Sequence, residues 1–199
     1  DQAGDTHTYT ITSQAVPGAF KIVGNQLQVN SSAALNFETT PSIDVTVRST
    51  DQGGLFISET FTINLTNVNE APTAIALSAN SIQENSANNT KVADLSATDV
   101  DAGDTHTYTL DSQTVTGAFK IVGSELQVAD STKLDFETNP SIDITVTVAD
   151  AGGLDRTETF TINLTDANET PTDIGLSSTD IAENSAANAV VGSLNTDDE

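Results

Sequence analysis

Carboxylates recur in this chain at short spacings. Asp99 and Asp101 form an Asp-x-Asp, with Asp104 close behind, and Asp135 and Glu137 form an Asp-x-Glu. Asp150 opens Asp-Ala-Gly-Gly, Glu84 stands in Ile82-Gln83-Glu84-Asn85, and Asp166, Asn168 and Glu169 precede Pro171. Two carboxylates at i and i+2 on an extended turn can both reach one cation. Ca2+ suits this set, because it takes about six to eight hard oxygen ligands at ~2.3–2.6 Å from carboxylates, Asn side chains, carbonyls and water. A lone Asp-x-Asp is more often a simple turn, whereas five acidic clusters between apolar runs are a stronger signal. No helix signal flanks them, so an EF-hand is excluded, and the Gly-Gly-x-Gly-x-Asp calcium repeat is also missing.

Other chemistries fare worse. The chain has no Cys, so thiolate catalysis, disulfides and Cys-ligated metals are excluded. His7 and His106 occupy equivalent polar stretches and read as surface strand residues without a second His or Cys to share a transition metal. Nothing resembles a nucleophile elbow. Paired acids could serve a glycosidase, but a small repeated sandwich rarely offers the deep cleft, and no enzyme is expected. A net charge of -23 opposes phosphate and anionic lipid, so nucleic acid is not an expected partner. No run of ~18 apolar residues is present, and no membrane insertion is expected.

The acids repeat because the whole chain does. At an offset of 99 residues, Ala3–Ala71 matches Ala102–Thr170 at 46 of 69 positions without a gap. Ile75–Asn89 returns as Ile174–Asn188 at the same offset. A unit of ~100 residues is one domain rather than a solenoid turn.

Strand signals are dense. Ile142-Asp143-Ile144-Thr145-Val146-Thr147-Val148 alternates apolar and polar residues, as does Phe160-Thr161-Ile162-Asn163-Leu164. Val122-Gly123-Ser124-Glu125-Leu126 reads as a tight hairpin between Phe119–Val122 and Leu126–Val128. The expected strands of the intact unit lie near Ala74–Ser78, Val92–Thr98, Thr105–Leu110, Phe119–Val122, Leu126–Val128, Ile142–Ala149 and Thr159–Thr165. The expected fold is all-β: tandem immunoglobulin-like, seven-stranded Greek-key sandwiches, without the Cys…Trp…Cys core of antibody domains. On this reading 72–170 is a complete repeat, 1–71 lacks its first two strands, and 171–199 supplies two such strands.

The chain resembles tandem cadherin-like repeats of large bacterial surface and secreted adhesins. Ile82-Gln83-Glu84-Asn85 is similar to the family's Pro-Glu-Asn turn, Asp99-Val100-Asp101 to its Asp-x-Asp, and Leu134-Asp135-Phe136-Glu137 to its Leu-Asp-Arg-Glu. Ala149-Asp150-Ala151-Gly152 is similar to Ala-x-Asp-x-Gly, and Asp166-Ala167-Asn168-Glu169-Thr170-Pro171 to the linker Asp-x-Asn-Asp-x-Pro. All five occur in family order.

The resemblance implies Ca2+ as the bound cation, held where consecutive repeats join. It assigns Glu38, Asn67, Asn69, Glu70, Asp99, Asp101 and Asp150 to the internal junction, with Asn36 and Asp104 as further candidates. The next junction receives Glu84, Asp135, Glu137, Asp166, Asn168, Glu169 and Asp198. Asp1, Asp51 and Glu183 are the remaining counterparts. Asn36 and Asn67 stand where the second copy has Asp135 and Asp166, so the internal junction is less anionic. The implied role is an extracellular, cell-surface repeat that calcium stiffens into a spacer and adhesive element of a filament or biofilm, with neighbouring copies of the repeat as partners. A polysaccharide-binding module is an alternative, set against the lack of Trp and only two Tyr. The ends also fit each other: Asp198-Glu199-Asp1 would complete an Asp-x-Asp. That suits a window on a longer covalent array, or subunits that polymerise by lending strands.

Overall fold

The structure is a computed structural model that describes residues 6–197. The chain divides into two compact units, one of Asp1–Glu70 with Val100–Ala102, the other of Ala71–Asp99 with Gly103–Glu199.

The first unit contains β1 (Thr8–Gln14), β2 (Phe20–Val23), β3 (Gln26–Val29), β4 (Ser42–Thr50) and β5 (Phe56–Asn64). They form a three-stranded sheet in the order β1-β4-β5 and a separate β2-β3 ladder. Its fully packed core is small, built on Ala19, Phe20, Ile43 and Val45.

The second unit contains β6 (Ala74–Leu77), β7 (Ser81–Gln83), β8 (Lys91–Thr98), β9 (Thr107–Gln113), β10 (Phe119–Val122), β11 (Glu125–Val128), β12 (Ser141–Ala149) and β13 (Asp155–Thr165). Two four-stranded sheets result, β10-β11-β8-β6 and β7-β13-β12-β9. The period-two pattern of β12 explains the packing. Ile142, Ile144, Val146 and Val148 are fully buried against Leu126, Val128, Leu134 and Ile162. Each such burial contributes about 1.5–3 kcal/mol relative to exposure. The opposite face is polar, and Thr147 Oγ1 lies 2.6 Å from Thr157 Oγ1. Gly123, at φ 62, sits first in the two-residue loop between β10 and β11, where a positive φ favours glycine. Beyond the sandwich, β14 (Asp173–Leu176) and β15 (Leu194–Asp197) pair antiparallel.

The expected sandwich is present, with three differences. The first expected strand is followed by a second short one, β7, which joins the opposite sheet parallel to β13, with Leu164 opposite Ile82. Three residues, Ser81–Gln83, followed at once by Glu84-Asn85, carry too little alternation to signal a strand. The second difference is that β9 runs on past Leu110, because Asp111 bulges out of register and the pairing resumes at Ser112. Asp111 breaks the apolar pattern, and its carboxylate accepts the hydroxyls of Thr109 and Thr147. Finally, β13 starts at Asp155, where a polar stretch is held by the ladder to β12.

Candidate metal centre

Three groups of carboxylates converge among the described residues: Glu84 with Glu137 and Glu169, Asp99 with Asp104 and Asp150, and Glu38 with Glu70 and Asp101. In each group one oxygen per residue lies within 4.8 Å of the others. Opposed ligands ~2.4 Å from one Ca2+ would stand about 4.8 Å apart, so the spacing fits that ion. All donors are carboxylate oxygens, the set that suits hard cations.

The first group is built around a turn. Asn85 takes φ 55, a left-handed conformation that Asn tolerates, and ends β7. Its N–H donates to Leu134 O, and that of Glu84 to Thr165 O, each at 3.1 Å. The Glu84 side chain is thereby buried between two loops. Its Oε2 accepts from Phe136 N at 2.7 Å and its Oε1 from Ala167 N at 2.8 Å. One carboxylate thus fixes both segments that carry Glu137 and Glu169. Leu134, fully buried, anchors the first of them. Asn85 Nδ2 donates to Glu169 Oε1 at 2.7 Å, while Glu169 Oε2 is buried without a hydrogen-bond partner.

This group is electrostatically uneasy. Burial pushes the Glu169 carboxyl above its ordinary value, helped by the charges of Glu84, Glu137 and Asp166. For Glu137, a bond from its own backbone N–H favours the anion. Burial and the charges of Glu84, Asp166 and Asp135 outweigh that bond and hold the carboxyl high. Both shifts describe carboxylates gathered without enough positive charge.

In the second group Asp150 ends β12 in a turn closed by Asp150 N to Leu154 O at 3.0 Å and Leu154 N to Asp150 Oδ1 at 2.8 Å. Gly153 makes that turn possible at φ 87. Asp99 follows β8 and lies 3.1 Å from His106 Nε2. Asp104 Oδ2 is buried without a hydrogen-bond partner.

The third group repeats the first, since Glu38 and Glu70 lie 99 residues before Glu137 and Glu169. Here Asp101 is the third member. Its Oδ2 accepts from Glu70 N at 2.8 Å, its Oδ1 from Asn67 Nδ2 at 2.7 Å. Glu38 Oε1 is buried without a partner. Each group therefore holds one buried carboxylate oxygen with no donor, the condition a bound cation would relieve.

The remaining expected ligands fall as follows. Asp135 lies outside the groups, with Oδ1 and Oδ2 accepting from Thr138 N and Oγ1, and Asn36 likewise caps Thr39. Asp166 reaches the first group through its charge. The Asn69 and Asn168 amides turn to the carbonyls of Glu70 and Glu169. Asp51 accepts from Leu55 N at 2.9 Å, and Glu183 is exposed. Asp1 and Asp198 lie outside the described residues. His106 departs from the surface reading: it is partly buried before β9 and paired with Asp99, while His7 is exposed. The offset alone could not separate the two copies. Asn85 supplies a donor to Glu169 that its place beside Glu84 signalled but its residue type did not.

Residues 79–165 match the family described as Cadherin domain. Human protocadherin Fat 4 is 25% identical over 171 residues, which covers 82% of this chain and 3% of that protein. Among solved structures, human protocadherin-24 EC1-2 aligns with a TM-score of 0.68 at 18% identity, covering 84% of this chain and 85% of that one. Mouse cadherin-23 EC22-24 aligns with a TM-score of 0.65 at 21% identity, covering 97% and 66%. No helix among the described residues is long and apolar enough to cross a membrane. The chain has the cadherin-like β-sandwich fold, and its stretch 79–165 carries the match to the Cadherin domain family.

Proposed function

We propose that this chain is a calcium-binding, non-catalytic extracellular repeat of a surface adhesin of the bacterial kind, serving as spacer and adhesive element beside further copies of itself. The observation that carries this reading is the buried, donorless carboxylate oxygen in each acidic group, Glu38 Oε1, Asp104 Oδ2 and Glu169 Oε2. The Cadherin domain match over 79–165 supports the extracellular, adhesive setting.

Glu84, Glu137 and Glu169 would hold one ion, Asp99, Asp104 and Asp150 a second, and Glu38, Glu70 and Asp101 a third. Bound Ca2+ supplies the positive charge and the remaining coordination that these oxygens lack. Asp99 and Asp101 are two residues apart and belong to different units, so one Asp-x-Asp carries ligands of two groups on a single short piece of backbone. Metal-free, the carboxylates repel one another and the segments near 67–72 and 98–102 are free to flex. With the charge neutralised, the same side chains become shared anchors, and the connecting segments lose that freedom.

Small-angle scattering and limited proteolysis test this. Calcium should narrow the distribution of dimensions and protect the 67–72 segment from cleavage. Identical scattering and identical cleavage in chelator and in calcium would rule out the stiffening role.

A further inference from the structure

One side chain stands beside the second acidic group without being one of its carboxylates. His106 Nε2 lies 3.1 Å from Asp99 Oδ2. The pair is well covered, with side chains 16% and 3% exposed. Asp99 is also the residue whose carboxylate converges with those of Asp104 and Asp150. All four residues belong to the second unit.

The strand ladder brings the imidazole there. β9 begins at Thr107, which pairs with Ala149, the last residue of β12. Thr107 Oγ1 also donates to Ala149 O at 3.4 Å. His106 and Asp150 are the next residues outward from that pair on the two strands. Asp99 arrives from the opposite sheet, directly after β8. The group is thus assembled from both layers of the sandwich, and His106 joins the two by its contact with Asp99.

Donors hold a carboxylate in the other two groups as well. Glu84 accepts from Phe136 N and Ala167 N, and Asp101 from Glu70 N and Asn67 Nδ2. In each of these groups a different acid keeps a buried oxygen without a donor, Glu169 Oε2 or Glu38 Oε1. The second group follows the same plan, with Asp104 Oδ2 as the donorless oxygen and Asp99 beside the imidazole. A carboxylate that turns freely must be ordered when a cation binds, whereas one already held is not. The Nε2–H group donates in the charged ring and in its neutral Nε2–H form, so the contact does not require a charged ring.

We propose that His106 is a positioning residue for the cation held by Asp99, Asp104 and Asp150, fixing the Asp99 carboxylate before the ion arrives. The proposal rests on the calcium reading of this group and adds to it a side chain that is not a ligand.

The full chain carrying Glu38→Gln and Glu169→Gln is the background for the test, because these changes remove the donorless carboxylate oxygens of the other two groups. Calorimetric titration with Ca2+ then reads the second group. His106→Leu keeps the bulk and removes the donor, and should weaken binding about tenfold. His106→Gln, whose side-chain amide can reach the same oxygen, should recover most of the loss. In chelator, nitrogen-15 NMR should show a slowly exchanging proton on His106 Nε2 that disappears in Asp99→Ala. This readout needs no bound ion and stands even where the leucine variant unfolds. Equal affinity in His106→Leu and the background, equal loss in the leucine and glutamine variants, or an Nε2 proton that exchanges too fast to observe would overturn the proposal. A background that binds no calcium would instead overturn the calcium reading of this group, and the positioning role with it.

Discussion

Asn67 donates its side-chain amide to Asp101 Oδ1 at 2.7 Å, where the next repeat places Asp166 among like charges. A neutral amide thus donates to one acidic group at a position where the other carries a further negative charge. Asn67→Asp should cost about 1 kcal/mol of metal-free stability by removing that bond. It should also tighten calcium binding several-fold at the group of Glu38, Glu70 and Asp101. Chemical unfolding in chelator, paired with calcium titration of the same variant, checks both directions.

Glu84 satisfies two backbone N–H groups from inside the fold. Glu84→Ala leaves Phe136 N and Ala167 N without it and removes a repelling charge, for a net loss of about 2 kcal/mol. Glu84→Gln keeps one acceptor and should lose less. Glu183→Ala, at the exposed counterpart, should stay within about 0.5 kcal/mol of the parent. Urea midpoints of the three variants separate a buried clamp from a surface acid.

The raised Glu137 and Glu169 carboxyls set the sign of the acid response. A carboxyl held high in the fold keeps its proton longer than in the unfolded chain. Its favourable contribution is complete below the ordinary value of 4.5 and is lost as pH climbs through the raised folded values. In chelator these two residues should make the fold less stable between about pH 4.5 and neutrality. With calcium the trend should reverse, because protons displace the ion. Unfolding midpoints stepped across this range, with and without calcium, read out both slopes.

His106 contacts Asp99 at 3.1 Å, and its copy His7 is exposed. His106→Ala should lower the stability of the second unit by roughly 1 kcal/mol, while His7→Ala should leave the first unit unchanged. Thermal melts of the two variants distinguish them.

Period two made β12 and the core of β13 legible in the sequence, since a half-buried strand must alternate. The offset of 99 made the repeat legible, and residue type made the carboxylate donors legible. What stayed hidden depended on contacts from elsewhere. Ser81–Gln83 is a strand only because β13 pairs with it, and Asp111 is a bulge only because β12 runs past it. Asp135 stands beside Glu137 in sequence, and its oxygens accept from Thr138. Spacing shows which acids share a turn. It does not show which hydrogen bonds each of them accepts there.

The donorless oxygens of Glu38, Asp104 and Glu169 are the proposed calcium ligands. Calcium titration calorimetry of the chain, set beside Glu38→Gln/Asp104→Asn/Glu169→Gln, probes all three at once. The expected result is saturable binding by the parent, a melting temperature several degrees higher in calcium than in chelator, and loss of most of both in the triple variant. A parent chain that gives no binding heat and melts at the same temperature in calcium and in chelator would contradict it.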